Sequence, residues 1–226
     1  MLGLYGVDDP LRIDEAVAMA KEAKQPGWWK DYQAIASDRY LQFAEFEAAA
    51  TETLHFQSLF VPGILQTREY AKAIIDRLSR DQEKHRGLLE FRLRRQQLLD
   101  DAEPRTLSFV LDESVVHRQV GDTDTMAGQL GRLIDLAGRP NISIQVFPFS
   151  AGLIDGMQAP FVIHRFEDKA DLDILYMEGP RGDTLVADDQ DEIARYSDAF
   201  TDLQGKALSP ADTLRFLQQR QSDLRG

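Results

Sequence analysis

The chain has no cysteine among its 226 residues, which removes disulfides, thiol nucleophiles and thiolate metal sites from consideration. Histidine is scarce as well. His55, His85, His117 and His164 stand far apart, without the His-Glu-x-x-His spacing that would place two rings on one helix face for zinc. No Gly-x-Ser-x-Gly elbow occurs, and the stretch from Gly152 to Gly156 lacks both the Lys-Ser/Thr of a phosphate loop and the third glycine of a dinucleotide turn. Neither a secretory signal nor an apolar run of membrane-spanning length is read in the chain, so a cytoplasmic protein without membrane contact is expected. Positive charge is in deficit: 26 Lys and Arg face 38 Asp and Glu, for a net charge of -12. Such a field repels a phosphate backbone unless basic side chains gather on one face. No catalytic residue, metal site or cofactor is assigned.

What is present suits a globular domain with a sizeable core, at 43% hydrophobic and 28% charged residues. Residues 1–36 read as a connector: Asp8-Asp9-Pro10 precedes a helical run over 11–24, which Pro26-Gly27 ends. Trp28 and Trp29 follow, suited either to packing between helices or to a ligand or partner surface. Helices are expected over 38–50, 67–79 and 81–101, with an extended apolar segment between the first two. Pro62-Gly63 then forces a turn, and Thr67 caps a helix bearing Tyr70, Ala71 and Ile74. After Pro104 the pattern shifts to short β-rich runs over 107–113, 142–147, 161–166 and 172–177, with a further strand over 184–187 and a helix over 125–137. Residues 189–208 and 210–224 read as closing helices, the second begun by Ser209 at the cap and Pro210 in the first turn. The expected class is α+β, with a helical N-terminal lobe on a small mixed sheet and closing C-terminal helices over 37–226. Irregular alternation of strands with crossover helices argues against a doubly wound sheet.

Two arginines need an explanation. On the 81–101 helix, a step of about 100° per residue places Leu88, Phe91, Leu98 and Leu99 on one side, and Arg92 and Arg95 fall within that arc. A guanidinium directed at an apolar interior is costly without a carboxylate or carbonyl partner, so at least one of the pair should meet a buried acid. Glu47, Glu113 and Glu178 are the candidates, each beside an apolar run. Alternation puts Glu113 on the face of Phe109 and Leu111, and Glu178 on the face of Ile174 and Tyr176, at the C-terminal ends of strands. A structural ion pair, a clamp for an anionic ligand and solvent-seeking stems along the helix edge all remain open.

An ordered series of segments carries a family resemblance. Phe46-Glu47 with Ala50, then Val61-Pro62-Gly63-Ile64-Leu65-Gln66-Thr67 and Tyr70-Ala71, are followed by Arg92, Arg95-Gln96, Leu99, Leu111-Asp112-Glu113 and Gln129-Leu130. Ile144-Gln145-Val146-Phe147-Pro148, Gly152, Pro160-Phe161 and Glu178 complete the series. Over nearly the whole chain this resembles the antitoxin-like helix-turn-helix transcriptional regulators of actinobacteria, in their C-terminal domain of unsettled activity. Ala49, Ile64 and Phe147 depart from the family pattern, and Ala49 removes an acid often found there.

The resemblance implies a regulatory and dimerisation domain. Nucleic acid would be bound only through an N-terminal helix-turn-helix domain, which is missing here. A homodimer is expected, receiving a small molecule or a small companion protein. The pocket is expected between helical lobe and sheet, with Gln66, Tyr70, Arg92, Arg95, Glu113 and Glu178 as candidate ligand contacts and Glu47, Pro62, Gly63, Thr67 and Pro148 as structural signature residues. The alternative is a stand-alone biosynthetic enzyme, cyclase-like or acid–base, with Glu113, Tyr70 or His117 assisting proton transfer.

Overall fold

A computed structural model describes residues 27–101, 105–167, 173–179, 184–186 and 189–226. The connector helix expected over 11–24 lies outside the described residues, as do Leu172 and Ala187 at the edges of two expected strands. Seven helices occur among the described residues: α1 (Asp38–Ala49), α2 (Arg68–Leu78), α3 (Gln82–Arg95), α4 (Glu113–His117), α5 (Thr123–Ala137), α6 (Gln190–Lys206) and α7 (Pro210–Asp223). Each starts after a Ser, Thr or Asp whose side chain accepts a backbone N–H of the first turn: Ser37, Thr67, Asp81, Asp112, Asp122, Asp189 and Ser209. Those caps satisfy donors that a helix start leaves without an internal partner.

The strands are β1 (Glu52–Gln57), β2 (Thr106–Asp112), β3 (Ile142–Phe147), β4 (Phe161–Arg165), β5 (Ile174–Met177) and β6 (Thr184–Val186). They form one mixed sheet in the order β3-β2-β1-β4-β5-β6. β1, β2 and β3 run parallel, and β4, β5 and β6 continue antiparallel from β1. The fold is α+β, with helices at both chain ends of the sheet. The expectation of irregular crossovers holds only in part, because helices do join the three parallel strands, as parallel neighbours require. The extended segment after α1 is the middle of the sheet, not an appendage of a helical lobe, and five of its six residues are buried.

Register assigns the two faces. His55 lies beside Phe109 of β2 and Val162 of β4, and Phe109 lies beside Ile144 of β3. Side chains alternate along a strand, so Leu54 and Phe56 point the other way, where they pack with Phe161, Ile163, Leu175 and the α6 residues Ile193, Phe200 and Leu203. On the His55 face, α2, α5 and α7 cover β2 and β3 through Ile74, Met126, Leu130, Leu133 and Leu217. Phe43 of α1 covers Val162 and Tyr176 toward the other edge. Between these covers, the central strand presents Thr53, His55 and Gln57, a polar stripe under a helical roof.

The tryptophan pair is packing. Trp28 and Trp29 sit in a short 3-10 turn (Trp28–Tyr32), where Trp28 and Tyr32 pack on Phe91 of α3 with ring centroids 5.3 Å and 5.0 Å away. Arg94 lies over the Trp28 ring at 5.2 Å, an arrangement that adds electrostatic attraction to the burial.

Candidate functional site

Arg95 is the buried arginine that the helical phase requires, and its partner is Glu47. The residues are 4% and 5% exposed. The guanidinium donates through Nε to Glu47 Oε2 at 2.7 Å and through Nη2 to Oε1 at 2.8 Å, the two-pronged geometry that makes Arg–carboxylate pairs strong. Its remaining nitrogen, Nη1, donates to the Tyr40 hydroxyl at 2.7 Å, and the cation lies over the Phe43 ring at 4.8 Å. Burial alone would discharge Arg95, but Glu47 and Tyr40 outweigh it and hold the guanidinium protonated. Burial also opposes a phenolate at Tyr40, yet the charges of Arg95 and Arg92 prevail and hold the hydroxyl below the usual phenol range. Arg105 secures the same end of α1, donating through Nη1 to the Glu47 carbonyl at 2.8 Å, one of the carbonyls that a helix C-terminus leaves free.

The Pro-Gly turn is held by glutamines. Pro62 and Gly63 open a 3-10 turn (Gly63–Leu65), and Thr67 caps α2 by accepting the Tyr70 N–H at 3.2 Å. Gln96 donates to the carbonyls of Gly63 and Gln66 at 3.0 Å and 2.8 Å. Gln129 donates to the Leu65 carbonyl at 2.9 Å and accepts the Thr67 N–H at 2.8 Å. Gln66 donates to the Val61 carbonyl at 2.7 Å, and its Oε1 accepts Arg92 Nη1 at 2.9 Å. Buried backbone groups outside regular structure need such partners, and this need gives the glutamines of the signature segments a physical role.

Between roof and stripe lies a cavity of about 790 Å³, within the size range of small-molecule sites. Tyr40 and Phe43 of α1, Leu88, Arg92 and Arg95 of α3 and Ile74 and Leu78 of α2 wall it, with His55 and Gln57 of β1 and Tyr176 and Glu178 on the sheet side. Of the six residues read as ligand contacts, Gln66, Arg92, Arg95 and Glu178 come together here. Tyr70 does not line it: the ring is fully buried in the α2–α5 core, and its hydroxyl accepts the Val61 N–H at 3.3 Å. Glu113 does not line it either. β2 ends at Asp112, whose side chain caps α4, so strand alternation stops one residue before Glu113. Glu113 Oε2 instead accepts the Phe149 N–H at 2.8 Å, and Oε1 lies 3.3 Å from His117 Nε2. Pro148 leads into the short turn that begins at Phe149.

Tyr40, His55 and Gln57 are among the cavity residues that sequence reasoning passed over. The signal for two of them was there, since Thr53, His55 and Gln57 alternate with Leu54 and Phe56 as polar and apolar faces of a strand do. Gln57 Nε2 donates to Glu178 Oε2 at 3.2 Å, and its Oε1 accepts the N–H groups of Ser58 and Leu59 at 2.9 Å and 3.0 Å. His55 Nε2 and His164 Nε2 are buried without a hydrogen-bond partner among the described residues. Burial pushes His55 down to about 3, with the Arg95 charge adding to it. His164 goes down to about 3 as well, through burial first, then the His55 and Arg95 charges.

Residues 40–219 match the family described as Domain of unknown function (DUF5753), and the chain belongs to that family. No curated protein matches it. Among the described residues no group of three or more His, Cys, Asp or Glu side chains is placed to hold a metal ion, and no helix is long and apolar enough to cross a membrane.

Two outcomes are expected. Arg95→Ala or Glu47→Ala should each destabilise the fold by about 3–5 kcal/mol, because each leaves a buried charge alone. The Arg95→Ala/Glu47→Ala double variant should lose far less than the two single losses combined. Urea unfolding measures this cycle, and simple additivity would refute the coupling. For pH, an unfolded histidine takes up its proton near about 6.5, whereas His55 and His164 resist it down to about 3. In that window the unfolded state binds more protons, so stability is full above it and falls as pH drops through it. Between about pH 6.5 and 5, above the carboxylate range, the slope should approach roughly 2.7 kcal/mol per pH unit for both rings. The His55→Gln/His164→Gln variant should flatten it, and a wild-type curve already flat there would overturn the assignment.

Proposed function

We propose that this domain is the ligand-receiving part of an antitoxin-like helix-turn-helix transcriptional regulator of actinobacterial type, acting in the cytoplasm as a homodimer. One observation carries the reading: the cavity is walled by α1 and α3 on one side and by the sheet on the other, so a small molecule seated there touches both parts at once. Only a ligand that binds two states of a protein unequally can shift between them. A molecule bridging roof and sheet meets that condition, because its contacts depend on their separation.

A physical route toward a DNA-binding head supports the same reading. Arg92 of α3 lines the cavity, while the adjacent Phe91 packs on Trp28 and Tyr32. Displacement of α3 would therefore move the segment that precedes the domain. A small companion protein is the other partner class that suits a receiver of this type. A second reading, acid–base catalysis, rests on the Tyr40 hydroxyl, which lines the cavity and is held below the usual phenol range by Arg95 and Arg92. Turnover abolished by Tyr40→Phe, with ligand binding kept, would decide for it.

Native mass spectrometry and sedimentation test the receiver. The expected result is a dimer whose thermal unfolding shifts upward, in a saturable way, with at least one compound of a metabolite library. A monomer that no compound stabilises would remove the reading.

A further inference from the structure

The cavity wall carries two arginines in different electrostatic states. Arg95 is neutralised by Glu47. Arg92 meets the neutral amide oxygen of Gln66 at 2.9 Å, and among the described residues its buried Nε has no hydrogen-bond partner and no carboxylate lies within ion-pair distance of it. A half-buried cation at a cavity, solvated by one amide and one phenol, favours an incoming negative group over water. Apolar surface adjoins it: Leu88 sits one turn earlier on α3, and Ile74 and Leu78 face the same space from α2. Leu59 and Leu78, 45% and 59% exposed, also line the cavity, which gives its mouth an apolar rim.

From this arrangement we infer that the ligand is an amphipathic organic monoanion, its carboxylate- or sulfonate-type head on Arg92 and its apolar body along Ile74, Leu78 and Leu88. The inference rests on the receiver reading above and names the class of molecule received. A single charge is specified because Arg92 is the one cavity-lining cation among the described residues without a carboxylate partner. The chain's net charge of -12 does not prevent this. Charges farther than about 8 Å are largely screened at physiological salt, whereas a contact with Arg92 is not.

The test uses two dyes that share one aromatic frame. 8-Anilinonaphthalene-1-sulfonate carries a single negative charge, and N-phenyl-1-naphthylamine carries none. The sulfonate should bind the wild-type chain saturably, one per chain. Arg92→Gln should weaken it about tenfold or more and leave the neutral dye unchanged, while Arg92→Lys should restore most of the loss. Leu88→Trp, which fills the wall, should remove both dyes and so place them in the cavity. If circular dichroism shows Arg92→Gln unfolded, Arg92→Met serves instead: it keeps the apolar stem, and sulfonate binding should weaken about tenfold or more while the neutral dye holds. Cavity binding of both dyes that ignores loss of the Arg92 charge in a folded variant would overturn the anion and leave the receiver standing. Saturable binding of neither dye would overturn both.

Discussion

The Arg95–Glu47 pair joins α3 to α1 inside the helical roof, and the rest of the site takes its position from that join. Both charges are out of water, so each is tolerable only while the other is present. Each of the three Arg95 guanidinium nitrogens donates to Glu47 or Tyr40, which makes it a structural cation. Arg92, three residues earlier on the same helix, stands at the cavity with neutral partners. One helix thus carries a charge paired within the fold and, less than a turn away, a charge that no described carboxylate pairs.

The sheet contributes its least apolar strip to the same space. A central strand covered on both faces is ordinarily apolar throughout, yet β1 puts Thr53, His55 and Gln57 on its roofed side. Thr53 bonds His164 across the β1–β4 pair, and Gln57 bonds Glu178 beyond it. His55 keeps a buried polar atom without a partner among the described residues. Buried polar groups that are only partly satisfied cost stability, and their concentration under the roof marks this region as serving something besides packing. The glutamine-held turn brings Val61, Pro62 and Gly63 to the cavity edge, so the Pro-Gly segment of the family signature is scaffolding for this place in the fold.

Elements whose signals are local were legible. Thr67 before α2 and Ser209-Pro210 before α7 are caps that any helix start would use, and the Arg95 phase followed from Leu88, Phe91 and Leu99 alone. Glu113 shows where that kind of inference stops. Its alternation with Phe109 and Leu111 was sound along β2, but Asp112 is a cap as well as a strand residue, and the chain turns helical before Glu113 can share their face. β1 reads as extended from its own residues, but nothing local reveals that strands flank it on both sides.

The residues alone settled the class of fold, the position of the Pro-Gly turn, the helix starts and the need for an acid beside a buried arginine, because each depends on propensity, periodicity or desolvation within a short window. Which acid answered that need was another matter. Glu47, Glu113 and Glu178 were equivalent as sequence, and only the packing of α1 against α3, across 48 residues of chain, chose the first, sent the third to the cavity and left the second on the far side of a cap. The cavity itself, with Arg92 unpaired by any described carboxylate beside an apolar wall, exists only as a relation between elements distant in the chain, and no local pattern encodes such a relation.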